Sequence, residues 1–116
     1  MPHIILEHTQ NLNSEVNYQE LFKALTDNLT ELGIVTNNKA IKCRYNACHE
    51  YYLADPKDIY IHLEIGLLEG RAAEKLIELG QKSKEILQNF FASETKSHPE
   101  CFSVEIREIN RTFYQH

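Results

Sequence analysis

Residues 59–71 read IYIHLEIGLLEGR, and this stretch constrains the fold more than any other part of the chain. Apolar and polar side chains alternate along residues 59–67, which is typical of a strand with one buried face. The apolar set is Ile59, Ile61, Leu63, Ile65 and Leu67, and the alternate set is Tyr60, His62, Glu64 and Gly66. The glycine and arginine that follow predict a turn into a helix that runs from about Ala72 into the nineties.

The buried face of that helix is expected to comprise Leu76, Ile77, Ile86, Leu87, Phe90 and Phe91. Gly80 interrupts the pattern at a modest cost in helix propensity, and we expect it where the helix lies close to the sheet. The segment HPE ends the helix because the residue before a proline resists helical geometry. A last strand is then predicted over CFSVEIREI, residues 101–109.

The first half of the chain follows the same plan. Residues 3–8, HIILEH, predict a strand. A helix is expected from Asn17, which is a good cap with Glu20 three residues further on, and Gly33 occupies the place of a left-handed C-terminal cap. Its apolar face is Leu21, Phe22, Leu25, Leu29 and Leu32. A second strand is predicted from about Ala40 to Leu53, with Lys42 and Arg44 on its polar face.

The resulting order is β-α-β, turn, β-α-β. We expect one α+β domain over residues 1–116, with similar halves at about 1–55 and 56–116. Right-handed crossovers would place both helices on one face of a four-stranded mixed sheet. The third and fourth strands are too apolar at alternate positions to leave the other face in water, so a homo-oligomer that covers this face is expected.

Composition limits the classes of function. The chain has 116 residues, 12 basic and 17 acidic side chains, and a net charge of −5, with no basic stripe, which argues against nucleic-acid binding. No apolar stretch is long enough for a membrane span, and the first residues do not resemble a signal peptide. Three cysteines without tight spacing fit a reducing compartment, so the cytoplasm is the expected location.

Pro2 stands directly behind Met1, and two readings of it are open. Proline suits the first position of a strand, and in that reading Met1 stays attached and Pro2 has no further role. In the other reading the initiator is removed, as a small second residue usually permits. Pro2 would then carry a free secondary amine, which can act as a base.

Four segments occur in the order and at the spacing of one enzyme family: MPHIILEHTQNL (1–12), AIKCRYNACHEYYLAD (40–55), IHLEIGLLEGR (61–71) and FSVEIREI (102–109). Over nearly its full length the chain resembles the 5-carboxymethyl-2-hydroxymuconate Δ-isomerase family of the tautomerase superfamily. The resemblance implies a cofactor-independent isomerase of homoprotocatechuate catabolism and a homotrimer. It also implies a small carboxylate substrate, a 2-hydroxymuconate converted into its 2-oxo-3-ene isomer.

The resemblance also assigns roles to residues. Pro2 corresponds to the amino-terminal base, and Arg71 corresponds to an arginine that binds a substrate carboxylate. Lys42 matches a position where we expect arginine in the family, and Arg44, two residues further on, is the alternative cation. Burial and nearby cations would lower the pKa of a free Pro2 amine toward neutrality, where a base works best. His3 and His62 are possible pocket residues, although structural histidines are commoner.

Two alternatives remain open at this stage. The same topology occurs in ferredoxin-like folds, so a non-enzymatic ligand-binding or assembly module is possible. A tautomerase acting on a different enol is the closer variant. Cys43, Cys48, His49 and Cys101 lack the paired short spacings of a structural zinc site, so no metal site is predicted.

Overall fold

The computed structural model describes all residues from Met1 to His116. Four strands form one sheet in the order β2-β1-β3-β4. The two outer pairs are parallel and the central pair, β1 with β3, is antiparallel. The elements are β1 His3–Thr9, α1 Tyr18–Glu31, β2 Lys42–Cys48, β3 Ile61–Leu68, α2 Ala73–Phe90, α3 Ala92–Ser97 and β4 Phe102–Ile109. This mixed sheet confirms the predicted tandem β-α-β architecture.

Helix α1 begins and ends where its local signals predict. The side chain of Asn17 accepts a hydrogen bond from the backbone N–H of Glu20 and so caps the first turn. Gly33 has φ +72°, a left-handed conformation that most residues adopt only with strain. Between these ends, Leu21, Leu25 and Leu29 are fully buried against the sheet.

The two faces of the sheet differ in chemistry. The apolar residues of β3, namely Ile61, Leu63, Ile65 and Leu67, are buried within the chain itself in the core that the helices cover. The open face is mostly polar, with Ile5 and Ile109 half-buried on it, and Arg107 there forms ion pairs with Glu64 and Glu105. The apolar alternation is therefore satisfied inside one chain, and our reason for expecting an oligomer, exposed apolar residues on the open face, was wrong.

The buried face of α2 differs from the predicted one. Ile77 is 60% exposed, so its prediction as a core residue was wrong, whereas Leu79 and Ser83 are fully buried. Gly80 does face β4, but a Cβ added there would lie 3.7 Å from Ile106 Cγ1, an ordinary van der Waals distance. The packing of α2 on β4 therefore does not require glycine at position 80.

Strand β2 is shorter than predicted, because it ends at Cys48 rather than Leu53. Its last residue pairs with Thr9, where β1 also ends, so no partner strand remains for the next residues. The segment from His49 to Asp58 leaves the sheet, and Tyr52 within it is 88% exposed.

No helix in the structure is both long enough and apolar enough to cross a membrane.

A buried carboxylate joins the two halves of the chain. Glu94, in α3, is 3% exposed and accepts hydrogen bonds from the backbone N–H groups of Asn13 and Ser14 and from the Ser14 hydroxyl. Burial opposes its ionisation, but these hydrogen bonds outweigh burial, and the pKa of Glu94 is lowered from its ordinary value. Glu94 therefore fixes the loop between β1 and α1.

Candidate active site

Pro2 is buried at the wall of a cavity of about 260 Å³, at the end of the sheet where β1 begins and β3 ends. The antiparallel pairing of these central strands, with His3 opposite Gly66, brings Pro2 beside the end of β3. The carbonyl of Pro2 accepts a hydrogen bond of 3.0 Å from the backbone N–H of Lys42. Pairing between β1 and β2 thus fixes Pro2 from its carboxyl side.

The cavity is lined mostly by apolar residues, with three polar residues among them. Its lining residues are Met1, Pro2, Ile34, Val35, Thr36, Asn37, Ala40, Leu67, Leu68 and Arg71. Sequence reasoning missed the contribution of the loop after α1. The signal that could have found it is the apolar pair Ile34 and Val35 directly behind the Gly33 cap, since both are buried although they lie outside any helix or strand.

Arg71 is the only charged side chain that lines this cavity. It lies on the turn between β3 and α2, where Gly70 has φ +118°. Its guanidinium donates to the carbonyls of Leu68, at 2.6 Å, and Ile34, at 3.2 Å. These bonds fix the planar group and use two of its five N–H donors, so three remain for an anion.

Met1 is attached in this structure, so the nitrogen of Pro2 is an amide. The amine of Met1 donates to the carbonyl of Ala40 at 2.8 Å. Burial, and then the Lys42 ammonium, lower the pKa of this amine below its ordinary value. The Met1 amine is therefore easier to deprotonate than one in water.

The two candidate cations of β2 occupy different positions. Lys42 pairs with His3 in the sheet register, directly beside Pro2, and its ammonium lies 3.4 Å from the carbonyl of Ala40. Arg44 is two pairs further along, opposite Ile5, and donates to His3 Nδ1 at 3.3 Å. It lines a separate concavity of about 290 Å³ on the open face, so Arg44 and Arg71 do not share a cavity.

The two predicted pocket histidines lie apart. His3 follows Pro2 but faces the open side of the sheet, and burial, then Arg44 and Lys42, lower its pKa. His62 pairs with Glu7, four residues beyond the His3 pair, and contacts Ser103 and Glu105. It lies outside the cavity of Pro2. No three histidine, cysteine or acidic side chains gather where they could hold a metal ion.

The chain matches known proteins over nearly its whole length. Residues 2–116 match the model of the family described as 5-carboxymethyl-2-hydroxymuconate isomerase. A 5-carboxymethyl-2-hydroxymuconate Delta-isomerase from Escherichia coli is 27% identical over 114 residues, covering 97% of this chain and 90% of that protein. The crystal structure of a 5-carboxymethyl-2-hydroxymuconate isomerase from Deinococcus radiodurans R1 superposes with a TM-score of 0.86 and 29% identity, covering 99% of this chain and 87% of the other.

More distant structures share the fold. A fused 4-OT, described as a symmetric trimer, superposes with a TM-score of 0.74 at 16% identity, covering 98% of this chain and 90% of the other. The chain therefore has a tautomerase-like fold. Because the family model spans residues 2–116, the chain belongs to the 5-carboxymethyl-2-hydroxymuconate isomerase family and is an isomerase.

Proposed function

We propose that this isomerase converts a 2-hydroxymuconate-type dienol, with 5-carboxymethyl-2-hydroxymuconate as the first candidate, into its 2-oxo-3-ene isomer, with Pro2 as the base. The observation that carries the proposal is the cavity that Pro2 and the Arg71 guanidinium both line. A proton shuttle and a carboxylate anchor are the two groups that such a reaction requires.

The proposal requires removal of Met1, which frees the Pro2 nitrogen inside the cavity. The strand pairing does not depend on Met1, because the carbonyl of Pro2 already accepts from Lys42. Met1 itself lines the cavity, so its removal also opens room for substrate beside the new amine. Burial and Lys42 already lower the pKa of the Met1 amine, and we expect them to lower that of Pro2 as well.

The chemistry is a proton transfer along a conjugated system. The neutral amine of Pro2 takes the proton of the substrate hydroxyl, the electron pairs shift toward the distal double bond, and the protonated amine returns a proton to carbon. Ile34, Val35 and Leu67 exclude water and thereby favour the neutral amine. A positioned base of this kind contributes roughly 10²–10⁴-fold to the rate.

Arg71 binds a substrate carboxylate in this mechanism. Its remaining N–H donors form charge-assisted bonds, and it precedes α2, whose first turn has no side-chain cap because Ala72 stands at that position. Lys42 is the better second cation, since its ammonium, although outside the lining, lies 3.4 Å from the carbonyl of the lining residue Ala40, while Arg44 lines another concavity. An ammonium supplies charge there without the bidentate fork of arginine.

We also propose a homotrimer in the cytoplasm. A concavity of about 660 Å³ lies between α2 and the edge strand β4, lined by Ile77, Gly80, Val104 and Ile106 among others. The exposed segment with Tyr52 lies beyond β2, at the opposite edge of the sheet. Two apolar surfaces at opposite edges favour head-to-tail contacts between copies, which close into rings. Three free thiols suit a reducing location.

The ring is tested by light scattering on purified protein. Ile77→Asp is expected to shift the mass from three chains to one, while Glu78→Asp on the same helix leaves it unchanged. A monomeric wild-type protein, or an Ile77→Asp variant that remains a trimer, would contradict this part of the proposal.

The enzymatic proposal is tested with two measurements on one preparation. Intact mass is expected to show a chain that begins at Pro2, and ultraviolet spectroscopy is expected to show conversion of 5-carboxymethyl-2-hydroxymuconate. Pro2→Ala, also processed to position 2, is expected to lose at least 10²-fold in kcat. Unchanged turnover by that variant would exclude Pro2 as the base, and turnover of only a simpler 2-hydroxydienoate would identify a different enol as the substrate.

A further inference from the structure

The last residues of the chain, Asn110–His116, form a segment that we call the C-terminal tail. It follows β4, forms a short 3₁₀ turn over Arg111–Phe113, and contacts two places that neighbour the proposed catalytic groups. One contact is on Glu69, two residues before Arg71, and the other is on His3, which follows Pro2. Neither contact belongs to the cavity itself.

The first contact holds the start of the turn that carries Arg71. The backbone N–H of Arg111 donates to Glu69 Oε2 at 2.7 Å, and Arg111 Nε donates to the Glu69 carbonyl at 3.1 Å. The N–H of Glu69 in turn donates to the carbonyl of Ile109. Arg111 Nη2 lies 3.8 Å from the place where a Cβ on Gly70 would stand, so the guanidinium covers that glycine. The tail thus packs along residues 69 and 70.

The second contact holds the start of β1. The hydroxyl of Tyr114 lies 3.1 Å from His3 Nε2, and the two rings meet edge to face. Arg44 approaches the other ring nitrogen, Nδ1, at 3.3 Å. Because a guanidinium can only donate, Nδ1 accepts, and the proton of a neutral imidazole is on Nε2, from which it is donated to Tyr114. The His3 ring is therefore held from both sides.

We infer that the C-terminal tail positions the proposed catalytic site, with Tyr114 acting on Pro2 through His3 and Arg111 acting on Arg71 through Glu69. This inference rests on the proposed function of Pro2 and Arg71. It assigns neither tail residue a contact with substrate, so both are positioning residues.

The physical need for such a device is clearest at Pro2. Once Met1 is removed, Pro2 is the end of the chain, and terminal residues fray unless something holds them. The backbone bond from Lys42 to the carbonyl of Pro2 is one restraint. The next residue, His3, is held by its strand pairing with Lys42 and Gly66 and, through its side chain, by the tail and Arg44. A base displaced by about 1 Å can lose on the order of 10²-fold in rate, so this restraint bears directly on turnover.

The two contacts predict different kinetic effects, which a merely structural role would not produce. Tyr114→Phe keeps the ring and removes the hydroxyl, so it is expected to lower kcat roughly threefold to tenfold, the range that one net hydrogen bond supports, with KM unchanged. Arg111→Ala loosens the turn that carries Arg71, so it is expected to raise KM by a similar factor with a smaller effect on kcat. Gln115→Ala, an exposed tail position, is the control and is expected to match wild type.

The experiment measures steady-state kinetics, intact mass and thermal midpoints for wild type and the three variants, with 5-carboxymethyl-2-hydroxymuconate as substrate. A lower kcat in Tyr114→Phe and a higher KM in Arg111→Ala, both at unchanged thermal midpoints, support the inference. Kinetics like wild type in both Tyr114→Phe and Arg111→Ala would overturn it while the proposed function stands. The same kinetic change in both variants, in step with a falling thermal midpoint, would also overturn it, since it indicates a loss of stability alone. If wild type itself fails to turn over the substrate, the proposed function fails, and the inference fails with it.

Discussion

Replacement of Arg71 by alanine is the sharpest test of how the cavity binds its substrate. The side chain is half-buried, and its guanidinium is fixed by the carbonyls of Leu68 and Ile34 rather than by any carboxylate. Its positive charge is therefore not neutralised by the protein, and the substrate carboxylate would be its first anionic partner. Alanine removes that charge and leaves the two carbonyls without their donor.

The magnitude follows from these contacts. Hydrogen bonds to charged groups contribute about 1.5–3 kcal/mol, and the loss of about 2–3 kcal/mol of substrate binding lowers kcat/KM roughly 30- to 150-fold. Most of the change is expected in KM, because a carboxylate remote from the moving proton is bound alike in the ground and transition states. Two carbonyls without donors cost about 1 kcal/mol in stability, which lowers the thermal midpoint by about 4 °C.

Kinetics of Arg71→Ala, Arg71→Lys and Lys82→Ala with 5-carboxymethyl-2-hydroxymuconate, together with circular dichroism, provide the assay. Lys82 is an exposed residue of α2 that pairs only with Glu78, so Lys82→Ala makes the same change in net charge far from the cavity. Arg71→Lys keeps the positive charge but loses the planar guanidinium that can donate two parallel hydrogen bonds to a carboxylate. Its kcat/KM is therefore expected to lie between those of Arg71→Ala and wild type. A folded Arg71→Ala variant with kcat/KM within twofold of wild type would refute the assignment.

Three further predictions concern stability. Glu94→Gln is expected to lower the free energy of unfolding by roughly 2 kcal/mol at pH 7, since the hydrogen bonds to the Glu94 carboxylate are charge-assisted. Because the pKa of Glu94 is lowered in the folded state, the greater stability of wild type is present above the ordinary pKa of about 4.3 and is lost as pH falls through the folded value. Urea titrations at several pH values would show this loss, and a difference in stability that does not depend on pH would contradict it. Leu79→Ala is expected to lower the free energy of unfolding by about 2–5 kcal/mol, whereas Gln81→Ala, at an exposed position of the same helix, lowers it by only a few tenths of a kcal/mol. Similar urea midpoints for the two variants would show that the buried face of α2 is assigned wrongly. Asn17→Ala removes the cap of α1 and is expected to cost about 0.5–2 kcal/mol, whereas Asn17→Asp retains most of the stability in the same denaturation assay; equal losses would rule out the cap as the cause.

The parts of the fold that the sequence predicted well are those with local signals. The ends of α1 follow from Asn17 and Gly33, which act within one turn of the helix. The face of α2 lacked such a signal. Two different faces of α2 could be the buried one, because the apolar residues Leu76, Ile77 and Leu79 lie close together in sequence. Ser83 is buried on the face that packs inward, but as a polar residue it does not mark that face as apolar. Only packing against α1 and β4 decides between them.

Strand length and site composition depend on partners that are distant in sequence. The apolar residues Tyr51 to Leu53 extend the pattern of β2, but pairing stops where β1 stops, at Thr9. Pro2 and Arg71 could be proposed from a resemblance, whereas their common cavity depends on the antiparallel pairing of β1 with β3. Tyr114 had no signal at all, because its contact with His3 spans nearly the whole chain.

The distribution of ion pairs explains how an acidic protein could attract an acidic substrate. Of the four arginines, Arg107 alone forms ion pairs, with Glu64 and Glu105, while the guanidinium groups of Arg44, Arg71 and Arg111 donate only to uncharged acceptors. The net charge of −5 repels a polycarboxylate at long range, but three unneutralised guanidinium groups and Lys42 lie near the start of β1 and the end of β3. Salt screens the long-range repulsion more than contacts inside a cavity. Moderate salt should therefore reduce kcat/KM far less in this protein than in an enzyme whose substrate is drawn in by a large opposite net charge.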